Sequence, residues 1–187
     1  MYRIATAVAA LVAVALLAQQ ATAASSTPLS LSLGVNFPSS SDAQDLGGTT
    51  QFAVNAAYSL TPASMHGGAF YIFLDYTGGS GATLHSPGGS TASGSMSSFG
   101  GGVGFRTTGR FYGGLDLGYY GTNASLSGEG QTFTSSGSGG GGRVYIGADL
   151  TRPGAAPVFY LETGYRFLPS VEGTSPSGFT VGLGARL

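Results

Sequence analysis

His85-Ser86 is the one place where this sequence sets a candidate base directly beside a hydroxyl nucleophile. Such a pair does chemistry only if the base reaches the hydroxyl and a third group orients the base. No acid lies near His85 along the chain, and the surrounding residues 78–94 are rich in Gly, Ser and Thr. The pair therefore reads as part of a polar loop. The other histidine, His66, lies in a predicted turn, and a whole predicted strand separates the two, so they do not converge as metal ligands. The chain has no cysteine, which removes disulfides and thiolate metal sites. It also has no lysine, so the glycine runs Gly100–Gly104 and Gly139–Gly142 are not phosphate loops of the Walker type.

What remains is a set of charges inside apolar surroundings: Asp75, Asp116, Asp149 and Glu162, with Arg106, Arg143, Arg166 and Arg186. Four acids against four arginines is a balanced set. Buried charges are costly unless paired, so the balance predicts a network of Arg–carboxylate pairs. The plainer alternative puts several of them at a water-filled rim.

The elements that must hold these charges alternate apolar and small-polar residues. Leu29, Leu31, Leu33, Val35 and Phe37 alternate with Ser30, Ser32, Gly34 and Asn36. Phe179, Val181, Leu183, Ala185 and Leu187 alternate with Thr180, Gly182, Gly184 and Arg186. Successive strand side chains point to opposite faces, so each stretch is a strand with one apolar face. Eight such strands are predicted, over residues 29–37, 50–60, 68–77, 97–107, 111–122, 142–150, 158–167 and 178–187. Connections after the odd-numbered strands are long and the others are short. The segments 38–48, 78–94, 123–141 and 168–177 read as loops, the second and third solvated and flexible. Long loops on one side and short turns on the other are the rhythm of a membrane barrel.

The opposite faces decide which way the apolar side chains look. They are small and rich in glycine, with Tyr71, Phe73, Tyr112, Tyr120, Tyr145 and Tyr160 as their bulky members. All eight charges share these faces. An eight-stranded barrel has an interior just wide enough for side chains to fill. The apolar faces therefore turn outward to lipid. Their aromatic residues collect at both strand ends, Phe70, Phe105 and Phe111 at one and Phe52, Phe99 and Tyr119 at the other, as interfacial girdles do.

Composition agrees. Charged residues are 8% of the 187, against about 25% in ordinary soluble domains. The net charge of −1 excludes an electrostatic case for nucleic acid. At the N-terminus, Arg3, the apolar run from Ile4 to Ala18 and the small-x-small site Ala21-Thr22-Ala23 predict a cleavable signal peptide over 1–23. A retained N-terminal anchor is the alternative. The barrel domain is then 24–187.

On these features, the cleavage site, the alternating strands and the closing run Phe179–Leu187, the chain resembles the small outer-membrane β-barrel superfamily, the eight-stranded OmpA and OmpX type. The resemblance implies an all-β, antiparallel, up-and-down transmembrane barrel in the bacterial outer membrane. It also implies that Phe179, Val181, Leu183 and Leu187 form the C-terminal signal read by the barrel-assembly machinery. Leu187 stands where members commonly end in Phe. Outer-membrane lipid, the assembly machinery and periplasmic chaperones are the implied partners, and a monomer without cofactor the implied state.

The expected role is structural: a mostly filled barrel serving envelope integrity or surface interaction. A narrow pore or a path for small hydrophobic molecules is the second reading. A lipid A-modifying enzyme using His85-Ser86 is the third, and a soluble secreted β-protein the fourth.

Overall fold

The computed structural model describes residues 29–60, 67–81, 91–152 and 156–187, with the backbone alone for 82–85. The expected signal peptide, its cleavage site, His66 and Ser86 lie outside the described residues. Eight antiparallel strands close into one barrel in chain order. They are β1 (Leu29–Pro38), β2 (Gln51–Ser59), β3 (Gly68–His85), β4 (Thr91–Thr107), β5 (Phe111–Gly128), β6 (Gln131–Asp149), β7 (Val158–Phe167) and β8 (Gly178–Arg186). Closure falls between the first and last strands, with Leu33 opposite Leu183, Val35 opposite Val181 and Phe37 opposite Phe179. The Leu187 N–H adds a bond to the Leu29 carbonyl at 3.0 Å. A closed ladder leaves no unpaired backbone at membrane depth, which is what hydrocarbon demands.

The two faces separate as the alternation requires. Leu74, Phe99, Val103, Tyr119, Ile146 and Leu183 are among many large apolar side chains exposed on the outside. Tyr71, Phe73, Tyr112, Tyr120, Tyr145 and Tyr160 are all buried inside. The core of this protein is thus its lumen, and its apolar belt is its exterior.

Two expectations are corrected. Residues 78–85, 91–94 and 123–141 are not flexible loops. β3 and β4 stay paired out to His85 and Thr91, and β5 and β6 out to Gly128 and Gln131. Together with the β4–β5 pairing they form a four-stranded sheet rising above the barrel. The turn between β5 and β6 is only Glu129-Gly130, with φ of 50° and 76°. Two consecutive positive φ values make the tight hairpin turn that matches strand twist, and glycine takes the second without strain. The apolar period stops at residue 96 because both faces of this sheet lie above the membrane, where no apolar face is required.

The segment 38–48 also differs from a plain loop. It contains a short helix, α1 (Ser41–Gly47). Ser40 caps it, its side chain accepting from the Ala43 N–H at 3.1 Å, and Asp42 sits in its first turn.

Candidate functional site

The lumen is filled in layers, and the central layer is built around Arg143 on β6. Its Nε donates to Asp116 Oδ2 at 3.0 Å, and its Nη1 to Glu162 Oε2 at 3.2 Å. Its guanidinium carbon lies 4.2 Å from the centre of the Tyr145 ring, a cation–π stack. Strand register makes this convergence possible: Asp116 of β5 lies directly opposite Arg143. The carboxylates take further donors. Tyr71 Oη bonds to Asp116 Oδ1, and Tyr112 Oη donates to Glu162 Oε1 at 3.1 Å. The Tyr71 and Tyr145 hydroxyls share a 2.5 Å bond. One arginine, two acids and three tyrosines thus form a single hydrogen-bonded body.

A second pair lies nearer the loop end. Arg166 Nη2 donates to Asp75 Oδ1 at 2.7 Å, and Asn55 Nδ2 donates to the same oxygen at 3.3 Å. Among the described residues, Nε and Nη1 of Arg166 have no hydrogen-bond partner. Toward the turn end, Arg186 pairs with Asp149 and lies over the rings of Tyr112 and Tyr160, 5.1 and 4.9 Å from their centres.

Seven of the eight expected charges therefore meet an opposite charge. Arg106 does not: among the described residues it makes no ion pair, and its guanidinium lies 5.4 Å from the centre of the Tyr112 ring. The physical reason is that Arg143 engages two carboxylates, so the one-to-one pairing implied by four against four does not occur. Arg106 is half-exposed near the barrel end, where water solvates it at little cost.

Above the central layer is a ring of buried polar side chains that includes Asn36, Gln51, Thr77, Ser98 and Thr122. Ser98 and Thr122 bond to each other at 2.6 Å, and Asn36 donates to Gln51 Oε1 at 3.2 Å and to the Pro176 carbonyl at 3.0 Å. Over this ring sits α1. Its residues Asp45, Leu46 and Gly47 press so closely on Gly81, Gly94 and Gly79 that a Cβ on any of the three would meet helix backbone. Ala43 of the helix and Met96 beneath it are buried. The helix thereby covers the β3–β4 side of the mouth.

Sequence reading missed α1, although Ser40 followed by Asp42 before an otherwise polar stretch is an N-cap signal. It had no signal for the mate of each lumen ring. Tyr71, Tyr120, Tyr145, Tyr112 and Tyr160 face Gly104, Gly100, Gly114, Gly147 and Gly184 across neighbouring strands. A Cβ on any of these glycines would strike the ring.

His85 ends β3 opposite Thr91, at the far tip of the raised sheet. Among the described residues no three His, Cys, Asp or Glu side chains gather as metal ligands.

An apolar belt around a lumen of paired charges defines a membrane-spanning barrel of the bacterial outer-membrane type. The chain is similar in structure to Neisserial surface protein A, with 15% identity, a TM-score of 0.50, and coverage of 85% of this chain and 96% of that one. It also aligns with Ail, the attachment invasion locus protein of Yersinia pestis, solved with the heparin analogue sucrose octasulfate. There the identity is 16%, the TM-score 0.49, and the coverage 84% of this chain and 95% of that one. At this identity the likeness to Neisserial surface protein A carries the fold alone. No protein-family pattern and no curated sequence matches the chain.

Proposed function

We propose that this chain is a closed structural barrel of the outer membrane that presents a raised extracellular sheet for surface interaction. The observation that carries this reading is the Arg143 network, which fills the middle of the lumen with side chains bonded to one another. The helix over one side of the mouth supports it further. A conducting barrel needs a continuous wet path, and a satisfied, buried network opposes one. Planar-bilayer recording on the full chain tests this directly. Silence is expected, and stable channel steps of appreciable conductance would favour the narrow-pore reading instead.

The proposal makes the protein a non-enzyme. His85 has no carboxylate beside it in the sequence to orient it. The apolar belt supports membrane lipid as the standing partner, and its continuity around the barrel is compatible with a monomer. The side chains of Phe179, Val181 and Leu183 on the exposed face of β8, with Leu187 following, are the proposed signal for the assembly machinery, reached with periplasmic chaperones after cleavage of the leader 1–23.

A further inference from the structure

The outward face of the raised sheet carries an ordered array of hydroxyls. On β4, stepping up from Phe99 of the girdle, the outward positions are Ser97, Ser95 and Ser93. Across the strands, Ser95 lies opposite Ser125, and Ser125 opposite Thr134. One step lower, Ser97 lies opposite Asn123, and Asn123 opposite Ser136. The array is internally bonded: Ser95 and Ser125 share a 2.8 Å hydrogen bond, and Ser127 and Thr132 one of 3.0 Å. Sheet geometry spaces these groups about 4.8 Å across strands and about 6.7 Å along them.

Two features separate this face from an ordinary solvated surface. First, it carries no charge. Two acids stand near it: Glu129 at the turn beyond, and Glu172, which accepts from Ser135 at 2.8 Å on the opposite face of the sheet. Water-facing surfaces normally mix charges of both signs. Second, it is continuous with the lipid-facing belt, on the same strands and the same side, starting two residues above Phe99 and four above Tyr119. With strands tilted by about 40°, its rows stand roughly 5, 10 and 15 Å above that girdle. A phospholipid headgroup layer is only about 5–8 Å deep. The upper rows therefore stand beside whatever projects farther from the leaflet.

We infer that this face docks the uncharged sugar headgroups of glycolipids in the outer leaflet around the barrel. Sugar hydroxyls both donate and accept, as serine and threonine do, and a flat array at regular spacing offers several such contacts to one headgroup. Without basic side chains the face has nothing to select phosphate. The inference rests on the membrane-spanning reading above.

Hydrogen–deuterium exchange on the full chain folded into vesicles tests it. Phosphatidylcholine vesicles are compared with the same vesicles holding digalactosyldiacylglycerol, or phosphatidylglycerol at equal mole fraction. Amides of residues 91–97, 123–128 and 131–136 are expected to exchange several-fold more slowly with the digalactosyl lipid alone. The triple variant Ser95→Ala, Ser125→Ala, Thr134→Ala should lose that slowing. Equal slowing with both lipids, no slowing, or slowing retained by the triple variant overturns the docking. Amides of residues 99–105 and 113–119 report insertion separately. Rapid exchange there would instead overturn the membrane-spanning reading, and the docking with it.

Discussion

The ring of Tyr145 lies across Gly114, its cross-strand partner on β5, so closely that a Cβ there would fall among the ring atoms. The same ring carries the guanidinium of Arg143 on its face and bonds through its hydroxyl to Tyr71. One missing side chain therefore positions the aromatic wall of the charge network. Aromatic cover over a strand glycine also restores packing that glycine by itself lacks.

Gly114→Ala is accordingly expected to displace Tyr145 and destabilise the barrel by about 1–3 kcal/mol, the usual cost of overpacking. Guanidinium unfolding in detergent micelles measures it. In a Tyr145→Ala background the same substitution should cost much less, because the ring it strikes is gone.

Arg143→Met should be the more severe change. It leaves Asp116 and Glu162 buried without their cation, a loss of about 3–5 kcal/mol. The triple variant Arg143→Met, Asp116→Asn, Glu162→Gln removes the orphaned charges as well and is expected to regain much of the loss. If the single and triple variants unfold at the same denaturant concentration, the network does not act as a charge unit.

Leu183 faces outward near the middle of β8, opposite Leu33 and Leu161. Leu183→Arg should cost about 2–4 kcal/mol in a lipid bilayer if the residue sits at the midplane. Unfolding in vesicles reads this, and a neutral result would place the belt in water rather than lipid.

α1 rests on glycines, so Gly94→Val should push the helix off the mouth without opening the barrel. Amides of residues 43–48 are expected to exchange faster, while those of β1 and β8 stay protected. Accelerated exchange in β1 would mean that the helix helps to hold the closing strands.

His85→Ala is expected to leave lipid A composition unchanged in cells that express the protein. A change on mass spectrometry would revive the enzyme reading.

The alternation of residues determined the number of strands, their faces and the side on which the charges lie. A strand's period is local, and within a membrane every outward position must be apolar, so the pattern is written residue by residue. The tertiary structure decided what that pattern does not encode. Which acids Arg143 meets, and why Arg106 meets none, depends on the register between strands and on height in the lumen. The rise of β3 to β6 beyond residues 77 and 122 was silent in the sequence for a different reason. Above the membrane neither face of a strand has to be apolar throughout, so no apolar period marks it. There the strands persist because neighbouring backbones remain in register, and α1 folds over the mouth because glycines on β3 and β4 leave room for it.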